Sequence, residues 1–134
     1  MRLSSKSEYA CLALIELAQN YGAGWITIED ISKRQNIPKK YLENILLVLN
    51  RAGYLSSRRG VHGGYKLAKD PGTISVAEIL RLMDGALAPV HSVSKYFYES
   101  TPIERNKNLR DLFANIRDYI ANKLEHTTYK DLTR

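Results

Sequence analysis

The stretch Pro38–Leu67, PKKYLENILLVLNRAGYLSSRRGVHGGYKL, carries most of what the chain says about itself. Its first half sets Leu42, Ile45, Leu46 and Leu49 at i, i+3, i+4 and i+7, one apolar stripe of a helix. Lys40, Glu43, Asn44 and Arg51 fall on the far side. Such a helix packs on a domain with one face and offers lysine, carboxylate and amide groups with the other; base edges are one partner suited to them. Leu47 also falls on this nominally polar face, and the stripe does not account for it. In the second half, Tyr54, Leu55 and Ser56 begin an extended segment and Tyr65-Lys66-Leu67 alternates as a returning strand would. Between them Arg58 to Gly64 form a glycine-rich tip. The result is a wing: a hairpin with three glycines at its tip, Arg58 and Arg59 at its base and His62 on its loop.

Upstream, Pro38 suits the first helical position, where its missing N–H costs nothing. Thr27 is a plausible N-cap for a short helix, Ile28 to Gln35, with Ile28 and Ile31 inward and Asn36-Ile37 as the turn. Two short helices joined so tightly have the outline of a helix-turn-helix. Earlier still, Ser5 and Glu8 have capping-box spacing, so a helix is expected from near Lys6, with Ala10, Ala13, Leu14, Leu17, Ala18 and Tyr21 as its stripe. Cys11, Leu12 and Ile15 make its other side apolar too, which places it centrally.

Downstream, Gly53 suits the left-handed position that closes the second helix. Asp70-Pro71-Gly72 is a turn, and Ser75 with Glu78 repeats the capping-box spacing ahead of Val76, Ile79, Leu80 and Met83, a fourth helix ending at Gly85. Residues 86–101 form an irregular connector whose aromatic trio, Tyr96, Phe97 and Tyr98, is expected to pack between domain and arm. Thr101-Pro102-Ile103-Glu104 then reads as the strongest helix start in the chain, with no breaker before His126: about 24 residues, about 36 Å. Its stripe is Leu109, Leu112, Phe113, Ile116, Ile120 and Leu124. A long arm with one sticky stripe asks for a second copy, so a homodimer is expected through Leu109, Leu112, Phe113, Ile116 and Ile120.

The 134 residues, 44% hydrophobic, suit one domain with an appended arm. The net charge of +6 and pI near 9.5 favour an anionic partner. That charge is uneven: residues 1–68 hold ten Lys/Arg against five Asp/Glu, and residues 69–134 ten against nine. No apolar run reaches the length of a membrane span, and MRLSSKSEY lacks the apolar core of a signal peptide, so a cytoplasmic protein without membrane contact is expected.

The ordered segments MRLSSKSEYA, IPKKYLENIL, RRGVHGGYKL, SVAEILRLMDG and HTTYKDL together resemble the Rrf-type transcription regulators, the family of IscR, NsrR and CymR, across nearly the whole chain. The resemblance implies a mainly α fold with a small β-hairpin: a bacterial winged helix-turn-helix dimer that binds double-stranded inverted-repeat operators. It implies a DNA-binding domain over residues 1–85 with a supporting helix, a connector and sensing loop over 86–101, and a dimerisation helix and tail over 102–134. Carried over by position, the reading helix would use Lys39, Lys40, Tyr41, Glu43 and Asn44, and the minor-groove arginine corresponds to the pair Arg58 and Arg59, with Arg59 preferred. The chemistry agrees: lysine and tyrosine suit phosphates, Glu43 suits cytosine N4, Asn44 suits adenine, and arginine suits a narrowed minor groove. His62 is expected to touch phosphate. The chain departs from the family's iron–sulfur members, which carry three cysteines in the connector; here it has none, and Ser92 sits near where the first would fall. A cysteine-ligated cluster is not expected.

Simpler readings compete. Glycines 60, 63 and 64 are not followed by the Lys-Ser or Lys-Thr of a phosphate loop. His62, His91, His126 and Cys11 match no local metal-ligand spacing, so no metal is expected and Cys11 reads as a small buried hydrophobe. By position His91 is the best cofactor candidate, although a plain loop residue is the simpler reading. No paired acid and base, nucleophile with a partner His, or cofactor loop stands out, so the chain reads as no enzyme. A repressor of transcription is expected, with a regulatory protein-interaction subunit of a metabolic enzyme as the alternative. The signal is left open between a small molecule, a protein effector and a cluster with non-cysteine ligands.

Overall fold

Helix α1 (Ser5–Gln19) lies at the centre of the protein through its main stripe: Ala10, Ala13, Leu14 and Leu17 are fully buried beneath flanking elements, whereas on its other apolar side Cys11 and Ile15 are half-buried and Leu12 is exposed, so that side is less covered than expected. The computed structural model describes residues 2–134, so Met1 of the opening motif lies outside the described residues. The N-cap is Ser4 rather than Ser5, one residue earlier than the capping-box spacing implies. Ser4 Oγ accepts the Ser7 N–H at 3.1 Å, while Asp84, far along the chain, accepts the Ser4 N–H at 3.1 Å. A tertiary partner thus selects between two adjacent serines. Because the helix stops at Gln19, Tyr21 leaves the expected stripe and is exposed.

Helix α2 (Ile28–Gln35) is capped by Thr27, whose Oγ1 accepts the Asp30 N–H at 3.2 Å. It ends at Asn36 in the left-handed conformation, φ 53°. Ser32 closes the turn, its Oγ donating to the Ile37 carbonyl at 2.6 Å. Helix α3 (Lys39–Arg51) follows, with Pro38 at its N-cap rather than at its first helical position. Leu42, Ile45, Leu46 and Leu49 are all buried, the four expected positions. The two helices pack on α1 and on each other.

The wing is an antiparallel pair, β1 (Leu55–Arg58) and β2 (Gly64–Leu67), in the register Leu55↔Leu67, Ser56↔Lys66, Ser57↔Tyr65 and Arg58↔Gly64. Arg58 and Arg59 therefore stand at the tip end of the hairpin, not at its base. Ile26 forms an isolated bridge on the far edge of β2, exchanging hydrogen bonds with Tyr65 at 2.9 and 2.7 Å. That contact explains Gly64: its φ is +141°, and a Cβ there would lie 2.3 Å from the Ile26 carbonyl oxygen.

Helix α4 (Val76–Asp84) begins with the expected reciprocal capping box between Ser75 and Glu78. Glu78 also accepts from the Tyr54 hydroxyl at 2.7 Å, and burial followed by this bond pushes the Tyr54 phenol up to about 12. Helix α5 (Lys107–Glu125) is shorter than the 24 residues expected: 19 residues, about 28 Å. Its cap is Asn106, which accepts the Leu109 N–H at 2.9 Å, and Pro102–Arg105 form a separate 3-10 turn. The predicted start at Thr101 fails because its groups are used elsewhere. Thr101 Oγ1 bonds Ser92 Oγ at 2.6 Å, and Glu104 accepts from Ser100 Oγ at 2.7 Å and from the Tyr98 hydroxyl.

After α5 the chain folds back on the domain. Val76 N–H donates to the Thr127 carbonyl at 2.8 Å and Tyr129 N–H to that of Ile74 at 3.1 Å, which leaves Tyr129 fully buried, its hydroxyl 3.2 Å from Cys11 Sγ. Arg81 of α4 donates to Glu125 of α5 at 2.7 Å. The C-terminal end of α5 is therefore clamped to the domain.

Candidate nucleic-acid interface

On α3 the residues opposite the buried stripe, Lys39, Lys40, Tyr41, Glu43 and Asn44, are all exposed. They stand in different circumstances. Lys39 Nζ donates to Glu29 of α2 at 2.9 Å; that hydrogen bond raises the Lys39 pKa and lowers that of Glu29, so both stay charged and each partly neutralises the other. The pair is solvent-exposed and weak. Lys40 has no such carboxylate within ion-pair distance among the described residues. Tyr41 leans toward α1, its ring 6.2 Å from that of Tyr9, and with Lys6, Lys40, Asn44 and Ile45 it lines an open recess. Lys6 and Tyr9 join the surface only because α1 crosses beside α3.

On the wing, Arg58, Arg59 and His62 are exposed. The two arginines differ. Arg58 lies with its guanidinium 6.0 Å from the Trp25 ring centroid, and Lys66 Nζ sits 4.4 Å from the same centroid. Strand alternation puts Ser56, Arg58 and Lys66 on one face of the hairpin, and Trp25 lies against that face because Ile26 pairs with β2. Arg59 lies beyond the strand, in the tip, with no ring beneath it among the described residues. Gly63 holds the tip tight: a Cβ there would fall 2.0 Å from the Arg58 carbonyl oxygen. In the sequence Lys66 is marked only by its alternation with Leu67, and nothing local marks Trp25 as part of this surface.

The α5 stripe divides into two. Leu109, Leu112, Ile116 and Tyr119 are exposed, whereas Phe113, Ile120 and Leu124 are half-buried and Leu124 packs on the core. Arg117, on the domain side, donates to the Val93 carbonyl at 2.7 Å. The expected trio Tyr96, Phe97 and Tyr98 does not pack between arm and domain: all three are exposed. Arg81 and Lys95 cover the Tyr96 ring from 4.8 and 5.4 Å, and Glu104 holds the Tyr98 hydroxyl at the surface.

A turn-linked helix pair, an exposed polar face on the second helix and a basic, glycine-tipped hairpin directly after it define the class: a winged helix-turn-helix transcription regulator. The chain belongs to the Rrf2 family: the family model described as "Rrf2: Iron-dependent Transcriptional regulator" matches residues 3–134. It is 33% identical over 132 residues to the HTH-type transcriptional regulator CymR of Bacillus subtilis, a match covering 98% of this chain and 89% of CymR. The solved structure of that CymR, described as the global cysteine regulator of B. subtilis, superposes with a TM-score of 0.80 at 32% identity, covering 98% of this chain and 95% of CymR. The HTH-type transcriptional regulator IscR of Citrobacter koseri is 45% identical over 84 residues, 63% of this chain and 52% of IscR. The protein is thus a DNA-binding regulator and not an enzyme.

The family description names iron, and the residues of this chain do not fit a cysteine-ligated cluster. Among the described residues no three His, Cys, Asp or Glu side chains come together as a metal site. Cys11, the single cysteine of the sequence, is half-buried against the core beside the Tyr129 hydroxyl, and burial pushes its thiol up against the opposing effect of that hydrogen bond. In the connector, Ser92 is bonded to Thr101, Ser94 accepts the Phe97 N–H at 3.0 Å, and His91 Nδ1 lies 3.2 Å from Glu99. His62 is on the wing, and His126 Nδ1 contacts the Asn122 carbonyl at 2.7 Å. No helix among the described residues is long and apolar enough to cross a membrane.

Proposed function

We propose that the protein is a homodimeric repressor of inverted-repeat operators, with α3 in the major groove, the wing in the adjacent minor groove, and no cysteine-ligated iron–sulfur cluster. The observation that carries this reading is the split stripe of α5. Leu109, Leu112, Ile116 and Tyr119 recur at alternating spacings of three and four on one exposed face, the pattern of a helix–helix seam, while the adjoining Phe113 and Ile120 are half-buried and Leu124 packs on its own domain. A second copy of α5 covers that face and sets two reading helices about one DNA turn, or a multiple of it, apart. Lys40, Tyr41 and Lys39 position the helix on phosphates, Glu43 and Asn44 read bases, Arg59 enters the minor groove, and Arg58 and His62 flank it. A dimer seated on a promoter excludes polymerase from the same DNA, which makes repression the direct outcome. The connector, tied to α5 by Arg117 and Val93, is where a signal reaches the dimer geometry; its exposed trio Tyr96 to Tyr98 suits a protein effector.

The test uses protein purified without oxygen. Iron-free, colourless dimer that protects two half-sites in its own promoter and lowers transcription from it in vitro is expected. Stoichiometric iron with a visible absorption band would overturn the cluster-free assignment, and promoter binding only as a monomer would overturn the seam. Co-purification with an enzyme in the absence of any operator selectivity would favour the alternative of a regulatory subunit.

A further inference from the structure

The face of α3 turned away from the core is polar except at one position. Leu47 lies one helical turn beyond Glu43 and Asn44, two turns beyond Lys40 and one turn before Arg51, and it is 44% exposed. It takes no part in the apolar core, which α3 supplies through Leu42, Ile45, Leu46 and Leu49. An isolated surface leucine is ordinarily unremarkable. This one stands in the middle of the surface assigned above to base reading, where each neighbour is a hydrogen-bonding or charged group.

The major groove presents one apolar group, the C5-methyl of thymine; its other edge groups are donors and acceptors. A leucine side chain pressed against an exocyclic amine or a carbonyl strips water from it and returns no hydrogen bond, whereas against a methyl both surfaces leave water together. We infer that Leu47 reads a thymine methyl, making it a specificity-determining residue of the operator half-site. This rests on the DNA-reading assignment of α3. Leu47 stands about 4.5 Å along the helix axis from Asn44, and successive base pairs are about 3.4 Å apart, so the thymine lies one to two base pairs from the base that Asn44 meets. Leu47 thereby adds an apolar requirement to a half-site otherwise read by a carboxylate and an amide.

Uracil in place of thymine removes the methyl and leaves Watson–Crick pairing intact, so the test does not depend on altering the protein. A duplex selected by the protein from a randomised pool is resynthesised with uracil at each thymine in turn. Wild-type protein is expected to lose affinity about fourfold at one thymine per half-site, the value of one methyl group kept from water, and about fifteenfold when both half-sites are changed. The other thymines are expected to be neutral. The Leu47→Ala variant is expected to bind the thymine and uracil duplexes alike at that position, while keeping the sedimentation coefficient and helical circular dichroism of the wild type. Insensitivity to uracil at every position, or sensitivity that persists in Leu47→Ala, would overturn the assignment while selectivity over random duplex leaves the DNA-reading role standing. A monomeric Leu47→Ala protein would also overturn it, by placing Leu47 in a contact between copies. Failure to select any sequence would overturn the reading of α3 and this inference together.

Discussion

The double substitution Leu112→Asp with Ile116→Asp puts the split of the α5 stripe to a quantitative test. In the single protomer these residues are 53% and 38% exposed, and neither belongs to the hydrophobic core. Complete burial of a leucine or isoleucine is worth about 1.5–3 kcal/mol, so covering the exposed fractions in a symmetric dimer contributes about 4 kcal/mol from these two positions in both copies. Losing that burial raises the dimer dissociation constant roughly a thousandfold. Four carboxylates brought into one apolar seam add desolvation and mutual repulsion in the same direction. Sedimentation velocity across a concentration series is the assay. Wild type is expected to stay dimeric to the lowest measurable concentration and the variant to run as a monomer, with unchanged helical circular dichroism because neither residue holds the protomer together. A variant that remains dimeric would refute the reasoning and place the interface on another face.

Three further outcomes follow from contacts described above. Arg59→Ala is expected to weaken operator binding and reduce its salt dependence by about one released counterion per half-site, while Arg58→Ala, partly held by Trp25, has the smaller effect; equal dissociation constants for Arg59→Ala and wild type at two salt concentrations would remove Arg59 from the interface. Tyr129→Ala empties a fully buried site between the tail and α1 and is expected to cost about 3–5 kcal/mol in chemical denaturation, a loss that Tyr129→Phe largely avoids; equal midpoints for Tyr129→Ala and wild type would mean the tail does not bear on the core. Glu125 is held below its ordinary range by the hydrogen bond from Arg81, so its contribution is present above the unfolded glutamate value and is lost as pH falls through the lowered one. Glu125→Gln is therefore expected to melt below wild type near neutral pH and to match it once the glutamate is protonated; a deficit that persists in acid would assign the effect to packing instead.

The parts legible in advance were those whose signal is local. Leu42, Ile45, Leu46 and Leu49 repeat with the helical period and all four are buried, and Ser75 with Glu78 closes the box its spacing implies. Local signals fail where distant groups compete for the same atoms. Asp84 draws Ser4 into the capping role that the spacing of Ser5 and Glu8 implies for Ser5, and Ser92, Tyr98 and Ser100 take the side chains that would have opened a helix at Thr101. The pairing of Ile26 with Tyr65 and the return of Tyr129 to the core join residues far apart in sequence, and no periodicity announces either. The exposed half of the site was legible by residue type, since α3 and the wing hold Lys40, Glu43, Asn44 and Arg59 at the surface as expected. The partners that restrain Lys39 and Arg58 were not, because Glu29 and Trp25 reach them through the fold.

Trp25 has a practical consequence. It is the only tryptophan of the chain, and it lies against the hairpin face that carries Arg58 and Lys66. Excited selectively over the nine tyrosines, its indole responds to how closely those two cations approach its ring. The wing therefore carries an intrinsic optical probe: any ligand that draws Arg58 or Lys66 away alters the indole emission, so engagement of this element can be followed in the unmodified protein without an attached dye.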